Sequence, residues 1–312
     1  MIIKRNLDEL DSSGLSVITI GTFDGVHLGH KKIIEKLVST AKANGFNSTI
    51  LTFFPHPRMV LQQDDSLKLI NTIDEKTEIL EKLGLDQLII QPFTKEFSRL
   101  SAMEYVRNIL VNKLNAKKII IGYDHRFGRN RTATIKELKE YAASFNFEVE
   151  EISAEEINEV SVSSTKIRKA LEEGDIEKAN LYLGYEFMLT GNITKGKGLG
   201  RQIEFPTANL NIQENYKLIP KHGVYIVKSN INKKTVYGMM NIGINPTVGG
   251  TTKSIEIHFF DFDQDLYGKT IQVNMMKRLR DEKRFESVEA LKQQLYKDKA
   301  NALNFIEKYH AQ

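Results

Sequence analysis

The 312-residue sequence predicts two domains of different class: a parallel α/β sheet domain over residues 1–185, then an antiparallel β-barrel over residues 186–312 closed by a long helix. Three observations predict this. The length suits two separate hydrophobic cores. Up to about residue 185, short apolar runs alternate with segments of helical period, the pattern of a parallel sheet covered by helices on both faces. Beyond Gly184 the pattern changes to short β-rich runs divided by Gly, Asn and Pro, as in an antiparallel barrel.

In chain order, the expected strands of the first domain are Val17–Ile20, Ser48–Phe53, Gln87–Gln91, Lys118–Ile121 and Phe147–Ile152. After the first of them Ile33, Ile34, Leu37, Val38 and Ala41 keep helical spacing. Capping boxes open further helices at Thr72-Ile-Asp-Glu75, Ser101-Ala-Met-Glu104 and Thr134-Ile-Lys-Glu137. A helix running to about Glu172 and a short one over Asp175–Leu183 end the domain. The second domain offers strands at Gly223–Lys228, Val236–Met240 and Ser254–Phe260. A helix from Ser287 to about Tyr309 then presents Leu291, Leu295 and Phe305 to the barrel. No repeat or low-complexity segment interrupts either domain.

Composition narrows the class. Hydrophobic residues make up 41% and charged residues 27%, the balance of a globular protein. A net charge of +4 from 44 basic and 40 acidic residues argues against a nucleic-acid binder but suits anionic small substrates. With 0 Cys there is no disulfide, thiolate catalysis or Cys-based zinc site. The first residues lack the apolar core of a signal peptide, and no apolar run reaches membrane-spanning length. The expectation is a cytoplasmic enzyme, free of membrane, monomeric or weakly homo-oligomeric.

Chemistry concentrates in loops that follow strands, where open α/β sheets bind ligands. Gly21-Thr-Phe-Asp-Gly-Val-His-Leu-Gly-His30 joins strand to helix through a glycine-bearing turn, and the helix start points free N–H groups at a phosphate. His27 and His30 there suit an oligophosphate whose charge grows during reaction. Metal ligation and plain capping are the competing readings, the former weakened by the absence of a third ligand. In Phe53-Phe-Pro-His-Pro57 two prolines stiffen the loop and hold His56, either for a ligand or as an ordinary rigid turn. In Gly122-Tyr-Asp-His-Arg-Phe-Gly128, Asp124 can accept from a ribose or base and Arg126 can pair with phosphate, unless both are merely solvated. In Val162-Ser-Ser-Thr-Lys-Ile-Arg168 the hydroxyls of Ser163, Ser164 and Thr165 can cap a helix or bind phosphate, with Arg168 one turn along.

The second domain has its own set. Lys195-Gly-Lys-Gly-Leu-Gly-Arg201 is a basic glycine loop suited to phosphate, or a flexible hairpin. In Phe205-Pro-Thr-Ala-Asn209, Thr207 and Asn209 lie two apart on extended chain, so both oxygens face one side, as Mg²⁺ with substrate phosphates requires; they can equally be turn residues. Glu256 lies in an apolar strand, where a carboxylate needs a partner or a task, and general base is one such task.

The first four motifs, in this order, resemble the nucleotidylyltransferase superfamily, and in fuller form the N-terminal module of bacterial bifunctional riboflavin kinase/FAD synthetases. The segment from Gly191 to about Phe285 is similar to riboflavin kinase in its glycine loop, Phe-Pro-Thr-Ala-Asn, Gly-Val-Tyr, Asn241-Ile-Gly-Ile-Asn-Pro-Thr247, Glu-x-His and Asp265-Leu-Tyr-Gly268. The resemblance implies a nucleotidylyltransferase-like sheet domain followed by a riboflavin-kinase barrel. It implies that riboflavin is phosphorylated to FMN, and FMN adenylylated to FAD with release of pyrophosphate. ATP is then co-substrate, Mg²⁺ or another divalent cation is cofactor, and riboflavin, FMN and FAD are the other ligands. At the first site, Gly21, Phe23, Asp24, Gly29, His56, Asp124, Arg126, Ser163, Ser164, Thr165 and Arg168 are expected to bind ATP or FMN. His27 and His30 align and neutralise the phosphates there. At the second, Gly196, Lys197, Gly198, Gly200, Arg201, Pro206 and Arg280 are expected to bind ATP or flavin. Thr207 and Asn209 hold the metal, and Glu256 activates the ribityl hydroxyl. Glu204 stands where the family has glycine, and Tyr185 where it has arginine. A member with one activity lost and a flavin- or nucleotide-sensing protein are the alternatives; the intact Glu256, Thr207, Asn209, His27 and His30 speak against the sensor.

Overall fold

The computed structural model describes the chain apart from residues 11–13, 65, 124, 154–161, 197–199, 201–202, 248–249 and 312, and describes only the backbone at 245–247 and 250–253. Of the expected site residues, Asp124, Lys197, Gly198 and Arg201 lie outside the described residues. The chain divides into two compact units, Met1–Ser164 and Thr165–Gln312.

The first unit holds a six-stranded parallel sheet in the order β1-β4-β3-β2-β5-β6. Its strands are β1 Ile2–Lys4, β2 Ser16–Ile20, β3 Asn47–Phe54, β4 Gln87–Pro92, β5 Ala116–Gly122 and β6 Glu148–Ile152. Strand β1, a three-residue edge strand parallel to β4, escapes sequence reading because Ile2 and Ile3 remain largely exposed and set up no buried pattern. All five residues of β2 are buried, as a central strand covered on both faces requires. One face packs Ile18, Ile20, Leu51, Ile89, Ile119 and Ile121 against Val106, Ile109, Leu110 and Leu138 from the helices.

The helices follow local chemistry. Helix α1, Leu28–Asn44, is capped by His27 and buries Ile33, Ile34, Leu37 and Ala41. Short α2 is Pro57–Leu61 and α3 is Ile73–Lys82. Helix α4 starts at Ala102–Glu104 and continues as a π-helix over Tyr105–Val111, and α5 is Ile135–Phe145. All three expected capping boxes form, at Thr72/Glu75, Ser101/Glu104 and Thr134/Glu137.

The second unit is a closed antiparallel barrel in the order β10-β11-β8-β7-β12-β9. Its strands are β7 Met188–Thr194, β8 Ala208–Asn211, β9 Gly223–Ile231, β10 Lys234–Thr247, β11 Gly250–Phe259 and β12 Thr270–Arg280. The last helix, Val288–His310, is capped by Ser287; Leu295, Ala302, Phe305 and Ile306 pack into the barrel core, while Leu291 is only half-buried. Helices α6, Ser164–Glu173, and α7, Ile176–Leu183, were expected to close the sheet domain, but all of α7 and nearly all of α6 group with the barrel. The reason is specific bonding: Asn180 Nδ2 donates to Met275 O at 2.9 Å, Phe187 N to Asn180 Oδ1 at 2.7 Å, and Lys221 N to Leu171 O at 3.0 Å.

Candidate active sites

The sheet order reverses at β2, which leads to β3 on one side and stands beside β5 on the other. Loops beyond the carboxyl ends of β2 and β5 therefore flank the switch point where such sheets bind ligands. These are the Gly21–His30 turn and the Gly122–Gly128 loop, and the His56 loop follows the adjacent β3. The fourth motif joins them, since Ser164 Oγ donates to Asp24 O at 2.9 Å, across 140 residues of chain. Asp24 Oδ1 in turn accepts from Ile70 N at 2.9 Å, so its buried carboxylate ties the turn to the chain entering α3.

Within the turn, His27 Nδ1 accepts from His30 N at 3.4 Å, as the N-cap of α1. That bond assigns the remaining proton of the neutral ring to Nε2, which is left to donate to a ligand. The two imidazoles stack at 3.6 Å between centroids, 18° from parallel, and the Phe23 ring meets His30 edge-on at 5.1 Å. Burial holds His27 down to about 4, with Asp24 pulling weakly the other way. Burial, then the neighbouring His27 and Lys76, hold His30 well below the usual imidazole range. Both rings are therefore neutral at pH 7. They present hydrogen-bond donors, whereas the sequence had suggested that they also cancel charge. The buried Nδ1 of His30 has no partner among the described residues.

Sequence reading missed Lys76. Its side chain is 3% exposed and Nζ donates to Thr22 O, inside the turn, at 2.7 Å. Burial lowers it from the ordinary 10.5 to about 8, against an upward pull from Asp24. A signal was available: the Thr72 box fixes the phase of α3 and puts Lys76 one residue after Glu75, where an apolar staple residue is usual.

The other expected residues are placed as follows. Gly21 N donates to Leu51 O at 3.1 Å, and Gly29 is buried in the first turn of α1. His56 Nδ1 accepts from Arg58 N at 3.1 Å and caps α2. Arg126 is exposed on the loop after β5, and Ser163 is exposed just before α6. Thr165 and Arg168 belong to the second unit and are described with it: Thr165 is exposed and Arg168 half-buried on α6.

In the barrel, antiparallel pairing sets Glu256 of β11 opposite Asn209 of β8. Thr207 Oγ1 donates to Glu256 Oε2 at 3.3 Å. Two residues along the strand, hence on the same face, His258 Nδ1 lies 2.9 Å from Pro206 O, and burial lowers its basicity. As the carbonyl can only accept, Nδ1 carries the proton. The Phe205–Asn209 segment is thus fixed at Pro206 and Thr207 by β11. A Cβ at Gly196 would collide with the Asn209 amide, and one at Gly200 with the Phe205 carbonyl, so the glycine loop needs both glycines to lie against this segment. Thr207, Asn209 and Glu256 are hard oxygen donors on converging strands and fit a small divalent cation that keeps substrate phosphate among its ligands. Among the described residues no group of three or more His, Asp or Glu side chains is set to hold a metal. Beside Thr207 opens a cavity of about 520 Å³, lined by Pro206, Ile257, Phe259, Asp263 and Tyr267 among others, a size that suits a nucleotide-sized ligand.

Two further barrel residues have defined partners. Arg280, expected near the flavin, makes a bidentate pair with Asp298 of the last helix (Nη2 to Oδ2 2.7 Å, Nε to Oδ1 3.1 Å), and the Asp298 side chain is 3% exposed. Glu204 adopts φ 65°, a left-handed backbone of the kind glycine, expected at this position, takes without strain. Its carboxylate is held by Lys292 at 3.0 Å and by the Tyr296 hydroxyl at 2.6 Å.

Comparison with known proteins identifies the two domains. The FAD synthetase family model matches residues 10–166, and the riboflavin kinase model matches residues 183–306. A bifunctional riboflavin kinase/FMN adenylyltransferase of Buchnera aphidicola is 39% identical over 98% of this chain and 96% of its own length. The protein of the same name from Listeria monocytogenes is 37% identical over 94% of this chain and 93% of its own. A crystal structure described as a macrolide-efflux protein from Streptococcus pneumoniae superposes with a TM-score of 0.87 at 31% identity, covering 97% of this chain and 98% of the other. No described helix of this chain is long and apolar enough to cross a membrane. With both family models matched in tandem and relatives alike over nearly their whole length, the chain belongs to the bifunctional riboflavin kinase/FMN adenylyltransferase family, which makes FMN from riboflavin and FAD from FMN at the expense of ATP.

Proposed function

We propose that each reaction runs on one of the two sites described, with the sheet unit transferring the adenylyl group and the barrel transferring the phosphoryl group. The observation that carries the assignment is the convergence of Thr207, Asn209 and Glu256 on paired strands beside the glycine loop. In the barrel, Glu256 takes the proton of the ribityl hydroxyl as its oxygen attacks the ATP γ-phosphorus; the new P–O bond forms as the bond to the bridging oxygen breaks and ADP leaves. Thr207 orients the Glu256 carboxylate, and the glycine loop lines the nucleotide phosphates. Thr207 and Asn209 would hold Mg²⁺ or another divalent cation, which when bound neutralises phosphate charge.

In the sheet unit, an FMN phosphate oxygen attacks the α-phosphorus of ATP; the new P–O bond forms as the bond to the pyrophosphate oxygen breaks. The nucleophile is already an anion, so the site needs alignment and electrostatic support and no base. The His27 Nε2–H and the first N–H groups of α1 supply donors, with Asp24 and Ser164 fixing the turn. Riboflavin, FMN, FAD and ATP are then the ligands, with the divalent cation beside them. A cytoplasmic location, no nucleic-acid partner and a monomeric or weakly associating state complete the proposal.

The test pairs two variants in the full-length protein, with riboflavin, FMN and FAD separated chromatographically. Glu256→Gln should lower riboflavin phosphorylation by about 10²–10⁴ and leave FAD formation from supplied FMN intact. His30→Ala should do the reverse, at about 10²–10³ on FAD formation. Equal loss of both activities in either folded variant refutes the assignment.

A further inference from the structure

Adenylyl transfer gathers phosphate charge, and the histidine pair is poorly suited to oppose it with charge of its own. His27 is 6% exposed and its ring lies 3.6 Å from that of His30. Two imidazolium ions stacked so closely, out of water, would repel strongly. The rings can donate hydrogen bonds; net positive charge has to come from another group.

Lys76 is placed to be that group. It follows the Thr72/Glu75 capping box of α3 and turns inward, to 3% exposure. An ammonium has three N–H donors. The bond to Thr22 O, at 2.7 Å, is its one hydrogen bond to described residues, and no carboxylate lies within ion-pair distance of it among them. A buried cation left with unfilled donors is costly unless it meets a ligand. Thr22 sits between Gly21 and Phe23 in the phosphate turn, and the Phe23 ring packs on His30, whose buried Nδ1 is also unfilled among the described residues. Two sets of unmatched polar groups thus bound the same few residues of chain.

We propose that Lys76 is the positioning cation of the adenylyl-transfer site, fixing the phosphate turn through the Thr22 carbonyl and supplying, behind the histidine pair, the positive charge that the reacting phosphates need. The proposal rests on the assignment of adenylyl transfer to the sheet unit. Its ammonium is held down to about 8 by burial, so the charge is lost as pH rises through that value. The groups that face it are Asp24 from the turn and His30 from the first turn of α1; on its own helix Glu75 is tied to Thr72 N at 2.9 Å. These are carboxylates and an imidazole, and Lys76 is the one amine among them.

The test measures kcat/KM for FAD formation from FMN and Mg-ATP between pH 6.5 and 9.5 in the full-length protein, with riboflavin phosphorylation as internal control. Wild type should decline above pH about 8. Lys76→Arg, which keeps its charge, should retain activity within about tenfold at pH 7.5 and lose the alkaline decline. Lys76→Met should fall by about 10²–10³ at pH 7.5, also without that decline, and keep wild-type kinase activity. A wild-type profile flat to pH 9.5 overturns the proposal even where both variants fail to fold. So does an alkaline decline at the same pH in Lys76→Arg, or a folded Lys76→Met within threefold of wild type. A wild-type protein that makes FMN but no FAD would instead overturn the adenylyltransferase assignment beneath it.

Discussion

Acid should unfold the sheet unit through His27. The ring has its ordinary value of 6.5 when unfolded and about 4 when folded, because burial disfavours the imidazolium. The sign follows directly. Below pH 6.5 the unfolded chain binds a proton that the folded chain refuses until about 4, so stability is full above the unfolded value and is lost as pH falls between the two. At about 1.36 kcal/mol per pH unit the whole effect is about 3 kcal/mol, of which about 2 kcal/mol is lost between pH 7 and pH 5. With His27 at 6% exposure, solvent screening takes little from this figure. For a domain of this size, about 2 kcal/mol lowers the midpoint by about 4–8 °C. His30 acts in the same direction, and so does His258 in the barrel, so the drop must be isolated by comparison. His27→Asn serves, because Asn also caps a helix but does not titrate. Thermal unfolding followed by circular dichroism should show wild type losing about 4–8 °C more than His27→Asn on going from pH 7 to pH 5. Equal losses in the two proteins would refute the claim that His27 is buried as the neutral ring.

Two further outcomes follow from the second unit. A fragment from residue 162 to the end should be more stable to urea than one starting at Tyr185, by about 1–3 kcal/mol for each buried polar group left unpaired, because the shorter piece loses the Asn180 bonds to Met275 and Phe187 and the Leu171 bond to Lys221. Arg280→Ala should destabilise the barrel to urea by about 3–5 kcal/mol, since it strands the Asp298 carboxylate.

Much of the fold was legible because its signals are local. Each capping box needs only a hydroxyl and a carboxylate three residues apart, and all three form as written. The central strands announce themselves as apolar runs because both faces are covered. What the sequence hid depends on partners distant along the chain. Helices α6 and α7 read as the end of the sheet domain until Asn180 is seen bonded to Met275, 95 residues away. Arg280 reads as a ligand for an anion, and only the fold reveals that Asp298 holds it.

The two sites differ in legibility for a related reason. The barrel site is built of oxygens on extended chain, where alternation alone puts Thr207 and Asn209 on one side and strand pairing brings Glu256 across to them. Residue identity there nearly determines chemistry. The sheet site is built of nitrogens, and the function of a nitrogen depends on whether it carries a proton. Nothing in the spacing of His27 and His30 says that their rings stack out of water and stay neutral. Nor does a lysine in a charged run, Asp74-Glu75-Lys76, look different from a solvated residue until the capping box is used to fix which way it points. Burial thus changes how the residues read: the histidines that looked like the positive charge have their basicity lowered, and under the proposal above the charge lies on a lysine 46 residues further on, held against the same turn through Thr22.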